Sequence, residues 1–177
     1  MSVKGFKLLI SFLGLTCLLI HAGADETANP NIVIILTDDL GYGDVSFLNP
    51  QSKVKTPHMD SLAKEGVWAT DAHSPSTVCS PSRYAMLTGR YSWRHKIGRL
   101  NPWKESSIQK DRVTLPKILK EKGYYSACVG KWHLGFDWPW KGGVKPPASV
   151  IGSGTSTATC DMFDWTKPIQ GGPLGAG

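Results

Sequence analysis

Residues 31–39 read Asn-Ile-Val-Ile-Ile-Leu-Thr-Asp-Asp, an uninterrupted apolar run closed by two acids. A continuous run of β-branched residues is typical of a strand buried on both faces of a parallel sheet. Ligand sites in open α/β sheets lie beyond the carboxyl ends of such strands. Asp38 and Asp39 occupy that position, and carboxylate oxygens suit Ca²⁺ or Mg²⁺. The stretch predicts half of a metal site, although an isolated acidic pair also suits a helix cap or a solvated turn.

Two later segments share one pattern of helix boundaries. Residues 56–66 and 114–123 each open with threonine, carry proline within two residues and end in glycine. This pattern predicts a helix in each segment, and the apolar residues that follow predict strands over 67–72 and 124–129. Alternating strands and helices indicate an α/β fold, with a mostly parallel central sheet and helices on both faces.

Cys79 opens the sequence Cys-Ser-Pro-Ser-Arg, which is followed by Leu-Thr-Gly-Arg at residues 87–90. Ser80 or Ser82 can cap a helix here, because the first turn of a helix accepts proline. Cys79 would then lie just before a helix N-terminus, where free N–H groups favour an anion. Arg83, one turn into the helix, would point its guanidinium toward the same place. The segment predicts a nucleophile beside an anion site.

The spacing of this cysteine and arginine bears on the chemistry. A cysteine phosphatase needs its arginine six residues after the thiol, where this chain has Ala85, so that class is disfavoured. The structural alternative is a buried cysteine under a capped helix, since free cysteine usually behaves as a small hydrophobe.

A third motif, Gly-Lys-Trp-His-Leu-Gly, occupies residues 130–135 directly after a predicted strand. Side chains two apart in an extended segment point the same way, so Lys131 and His133 can reach one ligand. Lysine supplies a point charge to an oxyanion, and histidine can hydrogen-bond or transfer a proton. The alternative is a basic surface loop stacked by Trp132. Because all three motifs follow predicted strands, we expect them to meet at one edge of the sheet.

The N-terminus has the pattern of an export signal. Lys4 and Lys7 precede an apolar run over residues 8–20 and a small-residue cleavage site, Ala-Gly-Ala. We predict a signal peptide over residues 1–24; the run is shorter than the roughly 20 residues of a spanning helix, and an uncleaved anchor is the alternative. Loss of both lysines lowers the formal charge from +6 to +4. That mild excess, without a basic run, does not favour nucleic-acid binding.

The rest of the chain carries weaker signals. Trp93, His95 and Trp103 are candidate substrate-facing groups in a polar, irregular region, and no prediction is placed on them. From about residue 138 to residue 177 the sequence is an irregular tail rich in glycine and proline. An odd number of cysteines remains after the signal; if Cys79 is modified, Cys128 and Cys160 are left as a possible pair.

With these motifs in order, the span 31–136 resembles type I sulfatases of the arylsulfatase A-like kind, within the alkaline phosphatase superfamily. The resemblance rests on the strand with its Asp-Asp-Leu-Gly-Tyr-Gly-Asp continuation, on Cys-Ser-Pro-Ser-Arg with Leu-Thr-Gly-Arg, and on Gly-Lys-Trp-His-Leu-Gly. It implies that Asp38 and Asp39 ligate one Ca²⁺ and that Cys79, oxidised to formylglycine, binds the same ion.

The resemblance also implies a catalytic set, namely Cys79, Arg83, Lys131 and His133. One hydroxyl of the hydrated formylglycine would attack the sulfate sulfur and release the alcohol, and the other would drive collapse to the aldehyde and expel sulfate. The two cations would offset negative charge, and the histidine would hydrogen-bond the diol. A plain thiol cannot perform the second collapse.

Complete sulfatases run to several hundred residues, and their second half supplies further calcium ligands, another histidine and another lysine. No Asp-Asn or Asp-His pair follows Lys131, so we expect residues 25–177 to be the N-terminal part of a catalytic domain, inactive alone. One alternative is a non-catalytic remnant that binds anionic or sulfated ligands. Another is a phosphatase or phosphodiesterase of the same superfamily, which would use serine or threonine at position 79 with two zinc ions.

The expected partners follow from the resemblance. They are a sulfated small molecule or glycan as substrate and a formylglycine-generating or sulfatase-maturing enzyme. We expect no nucleic acid and, after signal cleavage, no membrane. The expected location is the periplasm or the exterior of the cell, or the lysosome in a eukaryote.

Overall fold

The computed structural model describes residues 29–101, 103–151 and 158–176. The predicted signal peptide over residues 1–24 lies outside these ranges. The chain divides into two units, residues 1–37 and 38–177, and every contact discussed below lies within the second. Its helices are α1 (Pro57–Glu65), α2 (Cys79–Thr88), α3 (Leu115–Glu121), α4 (Ala148–Ile151) and α5 (Pro173–Ala176). Short 3-10 turns lie at Tyr42–Asp44, Ser92–His95, Lys141–Gly143 and Cys160–Met162.

Helices α1 and α3 confirm the helices predicted at 56–66 and 114–123. Thr114 caps α3, since its side chain accepts a hydrogen bond from the N–H of Lys117. Thr56 makes no such cap; its hydroxyl donates instead to Asp60 at 2.8 Å. Asp60 also accepts a 2.7 Å bond from the hydroxyl of Ser46, so the start of α1 is fastened to the preceding loop.

Helix α2 differs from its prediction at the N-terminus. Cys79 is the first residue of the helix, and neither Ser80 nor Ser82 caps it. Both hydroxyls are engaged elsewhere, because Ser82 donates to the carbonyl of Ser76 at 2.7 Å and Ser80 accepts the N–H of Leu100 at 3.3 Å. Tertiary partners therefore override the capping preference of serine.

The strands of the predicted sheet are not formed in the described residues, and the α/β fold is supported only in part. Residues 31–37, 67–72 and 124–129 carry no strand assignment, and the described ranges hold only two isolated antiparallel bridges. Apolar side chains in these segments face solvent, with exposed fractions of 82 % at Val33, 101 % at Val67 and 97 % at Val129. Strand hydrogen bonds come from a neighbouring strand and not from the segment itself. Within the described residues no neighbour pairs with them, so helices dominate.

Two clusters of buried residues make up the core. The first contains Tyr84, Ile108, Trp132, Leu134 and Ala176. The second contains Trp140, Ile151 and Phe163, with Trp103 and Trp138 packed against it. The glycine- and proline-rich tail contributes to both clusters, and two antiparallel bridges, Asp137 with Gln170 and Trp140 with Phe163, tie it down. The described part of the tail thus contributes to the core.

Two further observations concern earlier predictions. Cys128 and Cys160 are free and exposed, so the possible pair is not formed. Within the described ranges, no helix is both long and apolar enough to cross a membrane.

Candidate active site

Cys79 and His133 lie in contact at the N-terminus of α2. The Sγ atom of Cys79 is 3.2 Å from Nδ1 of His133, and Nε2 of the same ring is 2.9 Å from the carbonyl oxygen of Leu100. A carbonyl can only accept a hydrogen bond, so Nε2 carries the proton of the neutral ring and Nδ1 is an acceptor. The histidine therefore presents a proton-accepting nitrogen to residue 79.

The loop 130–135 holds this histidine by burying its neighbours. Trp132 and Leu134 belong to the core, and the indole N–H of Trp132 donates to the carbonyl of Gly135 at 2.9 Å. His133 has φ of 53°, so the loop is not the extended segment that its alternation predicts. A side chain at Gly135, where φ is 79°, would overlap the carbonyl of Glu105. The glycine is needed for this close approach.

Three charged groups form the other half of the site. Lys131 donates from Nζ to Oδ2 of Asp38, and Nη2 of Arg83 lies 3.7 Å from Oδ1 of the same carboxylate. Arg83 also donates from Nη1 to the carbonyl oxygen of Lys131 at 2.6 Å. Its side chain is only 12 % exposed, and its Nε is buried with no hydrogen-bond partner in the described part of the chain. Arg83 is a fixed group that links α2 to the loop.

The charges in this cluster shift each other's protonation. The hydrogen bond from Lys131 holds the pKa of Asp38 below its ordinary 3.8, with further lowering by the charges of Lys131 and Arg83. The bond to Asp38 in turn raises the pKa of Lys131 above its ordinary 10.5. Both groups are charged at neutral pH, and two cations share one carboxylate.

The structure brings together most of the residues predicted for the site. Asp38, Arg83 and Lys131 form the charged cluster, and Cys79 and His133 form the adjacent pair. Asp39 differs: its backbone is left-handed, with φ of 58°, and within the described ranges its side chain makes no hydrogen bond or ion pair. The role of the Leu100 carbonyl was not predicted from the sequence. A backbone acceptor in an irregular segment has no characteristic residue pattern.

The described residues do not by themselves form a calcium site. Ca²⁺ takes about six to eight oxygen ligands, yet no group of three or more histidine, cysteine, aspartate or glutamate side chains suited to a metal occurs among them. Both oxygens of Asp38 face cations. The ligand set Asp38, Asp39 and Cys79 stays a prediction.

The three candidate substrate-facing groups separate. His95 packs its ring against Tyr84 at 6.0 Å, and Trp103 packs against Trp138 and Phe163 in the second core cluster. Trp93 is exposed at 66 %. Of the three, Trp93 alone is mostly exposed to solvent.

The arrangement places two cations beside a thiol that contacts a histidine ring nitrogen. The sulfatase family model matches residues 30–165 of the chain. The chain therefore belongs to the sulfatase family.

Named relatives agree with this assignment. The chain is 43 % identical to an N-acetylgalactosamine-6-O-sulfatase of Bacteroides thetaiotaomicron over 72 % of its own length and 26 % of the relative's. It is 43 % identical to arylsulfatase A of Bos taurus, over 67 % of its length and 24 % of the relative's. It also matches a solved structure reported for the metabolism of multiple glycosaminoglycans by Bacteroides thetaiotaomicron, with TM-score 0.55 and 42 % identity, over 65 % of this chain and 25 % of that one. The chain thus spans about a quarter of the length of these relatives.

Proposed function

We propose that this chain is the N-terminal part of an exported enzyme that hydrolyses sulfate esters at the site around residue 79. The observation that carries the proposal is the contact between Cys79 and His133 beside the cluster of Asp38, Arg83 and Lys131. A sulfate ester has a negatively charged head, and two adjacent cations offset that charge. The relatives named above support the same reaction class.

The two cations have different tasks in this proposal. Arg83 is mostly buried and bonded to the backbone of Lys131, so it provides a fixed positive charge for the sulfate oxygens. Lys131 is half exposed, and its flexible ammonium can move from Asp38 to an incoming anion. Asp38 keeps both cations in place before the substrate binds.

His133 holds or moves a proton at Nδ1. Because the carbonyl of Leu100 occupies Nε2, the ring cannot turn its proton toward residue 79 without losing that bond. It therefore accepts a proton from a hydroxyl at position 79, which is general-base catalysis.

The proposal includes oxidation of Cys79 to formylglycine. The sulfur of Cys79 stands where a hydroxyl oxygen of that residue's hydrate would be. The hydrate supplies two hydroxyls on one carbon, one to attack sulfur and one to release the sulfate, which a thiol cannot do. The implied partner is a formylglycine-generating or sulfatase-maturing enzyme.

Calcium is also part of the proposal, with Asp38, Asp39 and residue 79 as ligands. Because these groups supply too few oxygen donors for the ion, further ligands would have to come from outside the described residues, and activity of the chain alone is not expected. The proposed substrates are sulfated small molecules or sulfated glycans, and export through residues 1–24 would place the protein in the periplasm, outside the cell or in a lysosome.

The test co-expresses the chain with a sulfatase-maturing enzyme and measures the mass of the peptide that contains residue 79. The expected result is formylglycine at this position. A Cys79→Ser control, treated with a maturing enzyme that accepts only cysteine, should show none. An aryl sulfate and the matching aryl phosphate are then offered with and without calcium. Faster hydrolysis of the phosphate would overturn the sulfatase assignment in favour of a phosphatase of the same superfamily, and robust turnover of the sulfate by the chain alone would overturn its expected inactivity.

A non-catalytic remnant is the second candidate, because Asp38 is occupied by two cations and no metal cluster is present in the described residues. This candidate predicts an unmodified thiol at Cys79 after the same co-expression. It also predicts that aryl sulfate binds without hydrolysis, which calorimetry measures directly.

A further inference from the structure

Residues 89–100 follow α2 back from its C-terminus to the candidate active site. Gly89, with φ of 64°, ends the helix, and the 3-10 turn Ser92–His95 packs alongside, where the ring of His95 meets Tyr84 at 6.0 Å. At the end of the segment, the N–H of Leu100 donates a hydrogen bond to the hydroxyl of Ser80. The carbonyl of Leu100 accepts one from Nε2 of His133. A ten-residue helix is about 15 Å long, so the segment forms a path of that length that leads to residue 79.

The path is strongly basic. Residues 72–104 contain no acidic residue, and four cations on the path are exposed: Arg90, Arg94, Lys96 and Arg99. None of them forms an ion pair with another residue in the described ranges. Two exposed lysines elsewhere in the described ranges do so, Lys145 with Glu105 and Lys167 with Asp164. The positive charge of the path is therefore available to a ligand.

Two exposed aromatic rings stand within the same path. Tyr91 and Trp93 stack at 5.9 Å with an angle of 18° between their planes, and the guanidinium of Arg94 lies 5.3 Å from the Trp93 ring. Aromatic and arginine side chains are enriched at binding surfaces, and a flat aromatic face packs well against the apolar C–H face of a sugar ring.

We infer that residues 89–100 bind a linear sulfated polysaccharide, whose chain lies along α2 and presents one sulfate to the residue-79 site. The cations offset the negative charges of such a chain, and Trp93 with Tyr91 supplies a platform for one of its sugar rings. The ligand class rests on the proposed function, since the site at the end of the path is the one proposed to take a sulfate ester. The proposed function concerns the sulfate ester at residue 79, and this surface would bind the polysaccharide that carries that ester.

The test measures binding of a chondroitin sulfate or heparin oligosaccharide, long enough to span α2, to the full chain with its thiol unmodified. The charge variant is Arg94→Ala with Lys96→Ala and Arg99→Ala. Its matched control is Lys53→Ala with Lys110→Ala and Lys120→Ala, which removes the same charge from exposed positions elsewhere. Circular dichroism verifies that both variants keep their helices.

We expect the charge variant to bind the oligosaccharide about 3- to 100-fold more weakly, the loss for three exposed ion pairs, and the control to bind as the parent does. Added salt should weaken binding by the parent. Equal losses in both variants, or none in either, would overturn the proposal. A single-stranded oligonucleotide of equal charge that bound more tightly would also overturn it, because the surface would then be one for nucleic acid.

Trp93 gives a second, charge-neutral test. Trp93→Ala should weaken oligosaccharide binding without changing its salt dependence, and Trp93→Phe should retain most of it; no loss in Trp93→Ala would remove the aromatic platform from the proposal. None of these measurements requires turnover. Intact oligosaccharide binding together with an unmodified thiol at Cys79 after co-expression with the maturing enzyme would thus overturn the proposed function and leave this surface standing.

Discussion

The carbonyl of Leu100 accepts the Nε2 proton of His133 at 2.9 Å, and that bond fixes which ring nitrogen faces Cys79. The chemistry of residue 79 therefore depends on an irregular segment more than thirty positions before the histidine. Because Ser80 anchors the N–H of Leu100, the same turn of α2 that carries Cys79 also positions the group that orients its partner.

The orientation of His133 predicts how the unmodified thiol reacts. His133→Ala removes the acceptor 3.2 Å from Sγ, so alkylation of Cys79 by iodoacetamide at neutral pH should slow by about tenfold or more. Peptide mass spectrometry follows the reaction. Cys128 and Cys160, free and exposed, serve as internal controls whose rates stay constant; an unchanged rate at Cys79 would show that Nδ1 does not act as a base.

Replacement of Asp38 by asparagine should change the affinity for sulfate, and the same replacement of Asp39 should not. Asp38→Asn frees both Lys131 and Arg83 from their carboxylate, so inorganic sulfate should bind about two- to thirtyfold more tightly, at a factor of about 1.4 to 5 for each of the two ion pairs. Asp39→Asn is the matched control and should leave sulfate affinity as it is. Calorimetry at low ionic strength measures both, and equal affinities would mean that Asp38 does not compete with the anion.

The pKa of Asp38 can be followed directly by NMR of its side-chain carboxyl carbon. The bond from Lys131 lowers the folded-state pKa below 3.8, so this group stabilises the fold above its unfolded pKa, and the contribution is lost as pH falls through the lower folded value. The contribution of Lys131 to stability depends on pH in the opposite sense. Its folded-state pKa is raised above 10.5, so its contribution is lost as pH rises through that higher value. Lys131→Ala should move the midpoint of Asp38 up, and a fixed midpoint would contradict the pairing.

Phe163 should be among the most sensitive positions for stability. It is fully buried and stacks on Trp140 at 4.5 Å, with Trp138 at 5.3 Å. Phe163→Ala should lower the free energy of unfolding by about 3–5 kcal/mol, measured by denaturant titration. Tyr125→Ala, at an exposed aromatic, should change it by less than about 0.5 kcal/mol; similar losses at both positions would refute a core role for the tail.

The two helices whose boundaries lie within one segment were predicted correctly, and the strands that need a distant partner were not. Helices α1 and α3 follow from threonine, proline and glycine within one segment, and such boundaries need no partner. The strand predicted at 31–37 depends on hydrogen bonds from a neighbouring strand, which the described residues do not provide. We expect this segment to pair as a strand only alongside the further strands of a complete sulfatase.

The outcome at the site is mixed. The three motifs were expected to meet because each follows a predicted strand; Asp38, Arg83 and Lys131 do meet, although the strands are not formed in the described residues. The start of α2 was misjudged, since the hydroxyl of Ser80 is used by Leu100 and not by the helix. The basic path was overlooked for a related reason: its cations are spaced along an irregular segment and become a surface only when that segment lies along α2.

The exposed apolar segments at 67–72 and 124–129 also bear on the solubility of the protein. Unpaired main chain flanked by residues such as Val67 and Val129 is a template for edge-to-edge association between molecules. Concentrated solutions of this chain should therefore cloud or form oligomers rich in intermolecular β-structure, and light scattering against concentration would detect this. Charged substitutions at these two valines would keep the protein monomeric in solution. They would also weaken any strand pairing by the two segments.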